Sequence, residues 1–166
     1  MSSSLRVSVV VGNPKPRSRT LQAAILVAER LSGRPDVTID LAELGAGLLD
    51  PADATTSAAI RSVQESQLVV VASPTYKAAY TGLLKLFLDR FPSNGLAGVV
   101  AVPLMLGAGP RHALAPEHTL RPVLVELGAT TPTRGLYLLD SDFDDADVLE
   151  QWAGTAAHQV VAAVHR

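Results

Sequence analysis

The run Leu68-Val-Val-Val-Ala72 is apolar at every position, and Ser73-Pro74 follows at once. A strand with one wet face alternates polar and apolar residues, whereas one covered on both faces does not. Three consecutive valines favour extended backbone, because a β-branched side chain loses rotamer freedom in a helix. The run therefore predicts a central strand between two layers of helices.

The remaining segments supply its partners. Leu5 to Val11 is a second β-branched run, ended by Gly12-Asn13-Pro14. Val37 to Leu41, Leu96 to Leu106 and Thr131 to Leu139 hold three more strands. Between them the apolar residues recur at helical spacing. Leu21, Ala24, Ile25, Ala28 and Leu31 mark a helix from Ser18 to Leu31, with Ser18 or Thr20 as its cap. A weaker helix runs from Ala54 to Glu65, after a loop marked by Gly45, Gly47, Pro51 and Asp53. Tyr80 to Phe91 is a third, its apolar residues spread over an arc of about 140°, wide enough to call for a second apolar partner. A further helix opens after Gly107-Ala-Gly-Pro110 and reaches Gly128, with Pro116 and Pro122 starting or kinking it. The last spans Asp145 to His165. Strands alternating with helices predict an α/β fold, a parallel sheet wound on both sides by right-handed crossovers. No repeat or linker interrupts the pattern, so residues 1–166 read as one domain.

Composition narrows the function. With 14 basic and 16 acidic residues, and no basic stripe interleaved with aromatics, the chain is not expected to bind nucleic acid. It has no cysteine, which excludes disulfides, thiolate metal sites and cysteine catalysis. Met1-Ser-Ser-Ser leads into a strand without a signal-peptide pattern, and no apolar run is long enough to span a membrane. A soluble, cytoplasmic protein without membrane partners is the expectation.

In a doubly wound sheet the ligand sits beyond the carboxyl ends of the strands. The first such loop, Gly12 to Thr20, crowds Lys15, Arg17 and Arg19 beside the hydroxyls of Ser18 and Thr20. A helix start exposes unpaired N–H groups and a positive dipole end, so this is an anion site, most simply for phosphate. The alternative is three bases on an exposed loop. Neither a Walker A nor a GxGxxG spacing is present, which favours a monophosphate. In the second loop, Ser73 to Lys77, Pro74 turns the chain out of the sheet. That predicts free N–H groups on Thr75, Tyr76 and Lys77, aimed at the edge of a flat polar ring. The third loop, Leu104 to His112, carries Gly107 and Gly109.

The words Ser73-Pro-Thr-Tyr and Tyr80-Thr-Gly-Leu-Leu-Lys85 closely resemble the SP-x-Y…YTGLLK segment of the NAD(P)H-dependent FMN reductases. These are flavodoxin-like enzymes of two-component monooxygenase systems. The first loop is similar to the family's G-S-x-R-x-x-S-x-T/N pattern, keeping Gly12, Ser18 and Thr20 but with Asn13 for serine and Lys15 for arginine. The third resembles P-x-x-x-G-G-S-x-x-H-A, with Ala108 for the second glycine and Gly109 for the serine. The likeness runs from Val7 to about Leu138.

It implies a flavodoxin-type five-stranded sheet of order 2-1-3-4-5 and FMN bound at its carboxyl edge. Asn13, Lys15, Arg17, Ser18 and Thr20 would hold the phosphate. Pro74, Thr75, Tyr76, Lys77, Gly107, Ala108 and Gly109 would hold the ring, Gly107 by letting backbone come close. Chemistry would rest with the flavin and not with a side chain. NADPH or NADH would give hydride, and reduced FMN would pass to a partner monooxygenase. In sulfonate-linked relatives a tyrosine at the place of Tyr80 lies on a π-bulged helix at a tetramer interface near the flavin. The same role is implied here, in a homodimer or homotetramer; a core aromatic is the alternative. An NAD(P)H quinone or azo reductase with retained FMN, a flavodoxin-like electron carrier and a regulatory domain without flavin are the rival readings.

Other polar residues are read more plainly. Arg111 either meets the 2′-phosphate of NADPH or is a surface arginine. His112 and His118 lack ligand spacing for a metal. The aspartates between Asp140 and Asp147 are read as caps for the last helix, and Ser73 lacks a G-x-S-x-G setting.

Overall fold

The computed structural model describes residues 5–165. Five parallel strands, β1 (Val7–Val11), β2 (Val37–Asp40), β3 (Leu68–Pro74), β4 (Val100–Gly107) and β5 (Leu136–Leu139), form one sheet. Their order across it is β2-β1-β3-β4-β5, and β3 pairs with β1 from Leu68 and with β4 through Pro74. The expected 2-1-3-4-5 winding is thus observed.

Every residue of β3 is buried, as its unbroken apolar run requires. Its side chains divide by the two-residue period of a strand. Leu68, Val70 and Ala72 enter one core with α1 (Arg19–Ser32) and α6 (Ala146–Val164). Val69 and Val71 enter the other, with α3 (Ala54–Gln64), α4 (Gly82–Leu88) and α5 (Arg121–Glu126). Caps are local and chemical. Ser18 Oγ accepts from Leu21 N at 3.2 Å, Asp53 Oδ1 from Thr56 N at 2.6 Å, and Asp145 Oδ1 from Asp147 N at 2.9 Å.

Several boundaries differ from the sequence expectation, each for a tertiary reason. β2 stops at Asp40, whose carboxylate caps a short helix, α2 (Leu41–Leu44). A 3₁₀ turn over Gly45–Leu49 continues it. Arg90 secures the following residues by donating to the carbonyls of Asp50 (3.0 Å) and Pro51 (3.1 Å). The helix expected from Tyr80 to Phe91 spans only Gly82–Leu88, because Thr81 caps it through Leu84 N at 3.1 Å. β4 starts at Val100, since Leu96 is tied by its N–H to Leu127 O (2.8 Å). β5 starts at Leu136, because the carbonyls of Thr131 and Thr133 accept from Arg121 rather than from a strand.

The helix expected between Pro110 and Gly128 is three pieces: a 3₁₀ turn (Pro110–His112), a π-helical turn (Pro116–Leu120) and α5. Pro116 brings no N–H to the ladder, and both Glu117 N and His118 N bond Leu114 O. Gly128, at φ +91°, ends α5. Among the described residues no helix is long and apolar enough to cross a membrane.

Candidate functional site

Three loops leave the carboxyl ends of β1, β3 and β4, which are neighbours in the sheet. The first is pressed against the start of α4. A Cβ on Gly12 would fall 2.4 Å from Leu84 Cβ, and Thr81 Oγ1 donates to Gly12 O at 2.5 Å. Gly12 is thus required by close approach to α4.

Within this loop Asn13 fixes the shape. Its Oδ1 accepts from Lys15 N at 2.9 Å and its Nδ2 donates to Thr20 Oγ1 at 3.0 Å. One proton of Asn13 Nδ2 is committed to Thr20, and the other has no acceptor among the described residues. Arg17 takes a left-handed conformation, φ +52°, and its N–H donates to Asp40 Oδ2 at 2.8 Å. Lys15 and Arg17 are exposed, while Ser18 and Thr20 are buried beneath them. Arg19 turns away and donates to Asp140 O at 3.3 Å. At the helix start the N–H groups of Arg19 and Thr20 have no acceptor among the described residues.

The second loop also departs from expectation. Of the three N–H groups read as free, Thr75 N donates to Leu106 O (2.7 Å) and Tyr76 N to Ala79 O (2.8 Å). Ala79 N returns a bond to Tyr76 O (3.2 Å), which closes a tight turn. Its central residues, Lys77 at φ +53° and Ala78 at φ +68°, are both left-handed. This is a type I′ geometry, which ordinarily selects Gly or Asn. Lys77 N and Ala78 N are the donors that remain. Ser73 Oγ supports the turn by accepting from Thr81 N at 3.0 Å, and Tyr76 projects outward, 52% exposed. Pro74 ends β3 inside the sheet, in register with Leu106.

An open cleft of about 620 Å³ lies along the third loop, lined by Thr75, Gly107, Ala108, Gly109, Pro110, Arg111 and His112. Gly107 answers to a different neighbour than expected. A Cβ there would sit 2.0 Å from Tyr137 Oη, so the residue makes room for a phenol. Tyr137 Oη donates to Gly109 O at 2.7 Å, and Asp140 N to Gly107 O at 3.0 Å. Burial pushes the Tyr137 phenol up from 10.0, a shift that the nearby Thr75 hydroxyl opposes. Thr75 Oγ1 nevertheless completes no hydrogen bond and is a buried polar atom without a partner. A second recess of about 390 Å³ adjoins the cleft, with Ala78, Arg111, His112, His118 and Thr119 in its wall.

Behind this recess Arg121 binds Glu117 through Nε at 2.6 Å and Nη2 at 3.1 Å, and it also reaches Thr131 O at 2.6 Å. The guanidinium, with the Gly135 N–H, holds the Glu117 carboxyl below its ordinary 4.5. Tyr80 is half-buried against the α4-side core. It precedes the cap of α4 and so lies on neither a helix nor a π-bulge; the π-helical turn is at Pro116–Leu120. Asp40, Ala78 and Tyr137 shape the site without a motif to announce them, and Thr81 does so from within the Tyr80–Lys85 motif.

A doubly wound sheet of this strand order, with a basic first loop and two further loops converging on one cleft, defines a flavodoxin-like mononucleotide-binding domain. Residues 5–144 match the NADPH-dependent FMN reductase family, and the chain belongs to it. It is 34% identical to an NADH-dependent FMN reductase, SfnF, of Pseudomonas putida, covering 90% of this chain and 85% of that one. Identity to an FMN reductase (NADPH) of Pseudomonas aeruginosa is 33%, over 91% of this chain and 86% of the relative. Among solved structures, the apo form of an NADH:FMN oxidoreductase, EmoB, superposes with a TM-score of 0.85 at 31% identity, covering 95% and 89% of the two chains.

The residues present fit FMN. Exposed Lys15 and Arg17 stand beside unpaired helix-start N–H groups for a phosphate. The ring would meet the lone Thr75 hydroxyl and the unpaired donors of Lys77 and Ala78.

Proposed function

We propose that the chain oxidises NAD(P)H and reduces FMN, and that the reduced flavin leaves for a partner monooxygenase. The observation that carries this reading is a carboxyl-edge cleft lined by the partnerless Thr75 hydroxyl and the Gly107–Gly109 loop, beside loops whose helix-start and turn N–H groups have no acceptor among the described residues. FMN, when bound, supplies the ring that takes hydride from the nicotinamide.

The protein's own work is binding, orientation and electrostatics. Lys15, Arg17 and the start of α1 neutralise the phosphate, with Ser18 and Thr20 offering hydroxyl protons. Asn13 keeps that loop in shape. Pro74 ends β3 and Thr75 presents its hydroxyl at the ring edge, while Tyr76 carries the turn that aims Lys77 N and Ala78 N. Fixed dipoles of this kind stabilise negative charge on a reduced ring without having to reorganise. Gly107, Ala108 and Gly109 form the opposite wall. No side chain is given an acid–base role. The cleft's openness to the 390 Å³ recess leaves room for a nicotinamide to stack. The reading includes Tyr80 close to the flavin in a homodimer or homotetramer, an assembly state that sedimentation velocity measures directly.

The test is oxidation of NADPH and of NADH by the purified protein, with and without added FMN. Turnover that saturates with FMN is the expected result. FMN bound without any nicotinamide oxidation would instead identify an electron carrier.

A further inference from the structure

Tyr137 stands outside every motif that points to the flavin, yet its hydroxyl lies at the centre of the third loop. It comes from β5, the strand beyond the loop, and occupies the space that a Cβ on Gly107 would take, 2.0 Å away. From there it donates to Gly109 O at 2.7 Å. The peptide after that carbonyl is Gly109–Pro110, which has no N–H to offer a ligand. The N–H groups of Ala108 and Gly109 have no acceptor among the described residues.

An unlatched Gly109 carbonyl could rotate into the cleft and set its negative end against a ring that gains electrons. Latched, it is drawn to β5, and the loop keeps its donors for the ligand. We propose that Tyr137 is a positioning residue for the ring-binding loop, acting through the Gly109 carbonyl. The proposal rests on the FMN reading and deepens it. Burial keeps the phenol protonated, because it raises the pKa above its ordinary 10.0, so the donor is present throughout the neutral range.

Tyr137→Phe keeps the ring and removes one oxygen. Calorimetric titration of the variant and the wild type with FMN, and with lumiflavin, which has no phosphate tail, separates the two ends of the ligand. A carbonyl stripped of its donor should weaken both ligands by the same factor, about tenfold. Thermal unfolding of the flavin-free variant should stay cooperative. Unchanged affinities in a folded variant would overturn the proposal, as would a loss confined to FMN. If Tyr137→Phe does not fold, Gly107→Ala carries the same test, since its Cβ evicts the hydroxyl and leaves the phenol in the chain. A wild type that takes up neither flavin overturns the FMN reading itself, and that outcome is distinct from a wild type and a variant that bind alike.

Discussion

Thr81→Val is the substitution whose cost can be worked through most fully. Thr81 is 3% exposed, and its hydroxyl does two things at once. It accepts from Leu84 N at 3.1 Å, which caps α4, and it donates to Gly12 O at 2.5 Å, which fastens the first loop to that helix. Valine keeps the volume and removes both bonds. Loss of a cap costs about 1 kcal/mol. A buried carbonyl left without a donor costs about 1–3 kcal/mol more. The sum, about 2–4 kcal/mol, lowers the melting temperature of a chain this size by about 4–16 °C. Urea unfolding followed by circular dichroism gives the free energy, and differential scanning calorimetry the temperature. Thr81→Ser keeps the hydroxyl and should lose less than about 1 kcal/mol. A Thr81→Val protein within about 0.5 kcal/mol of the wild type would show that the two hydrogen bonds of this hydroxyl are energetically idle.

Three further outcomes are expected. Ala78→Gly should stabilise the flavin-free protein by about 0.5–1 kcal/mol, because relief of a left-handed alanine exceeds glycine's entropy cost; destabilisation in urea would contradict the type I′ assignment. The Glu117 carboxyl is held below its ordinary 4.5 by the Arg121 hydrogen bonds, so the stability it gives is complete above that value and disappears as pH falls through the lowered one. Glu117→Gln should therefore flatten the acid limb of the stability–pH curve below about pH 4.5, and an unaltered limb would disprove the coupling. A contact between Arg111 and the 2′-phosphate of NADPH requires that Arg111→Ala lower kcat/KM about tenfold for NADPH and leave NADH unaffected, whereas equal changes assign Arg111 to the surface.

Much of the architecture was legible because it is written in local pattern. The apolar run at Leu68–Ala72 marked a strand buried on both faces, the alternation around it marked a parallel α/β sheet, and the order of the strands came from the resemblance to the reductase family. Ser18 and Asp145 were readable as caps since the rule relates a side chain to N–H groups two or three residues on. What escaped depends on distant partners. Gly107 reads as letting its own backbone come close to a ring, while the phenol it also accommodates, that of Tyr137, lies a whole strand away. The Tyr76–Ala79 turn carries Lys and Ala where its geometry ordinarily selects Gly or Asn, so no turn signal marked it. The short α4 follows from Thr81 being claimed by Gly12, a contact that periodicity does not encode.

The two outer strands, Val37–Asp40 and Leu136–Leu139, are only four residues each. A second copy trying to lengthen the sheet at either flank would find few main-chain groups to grip. Growth of the sheet by edge-to-edge pairing is thereby disfavoured at both of its flanks, without any need for a covering segment.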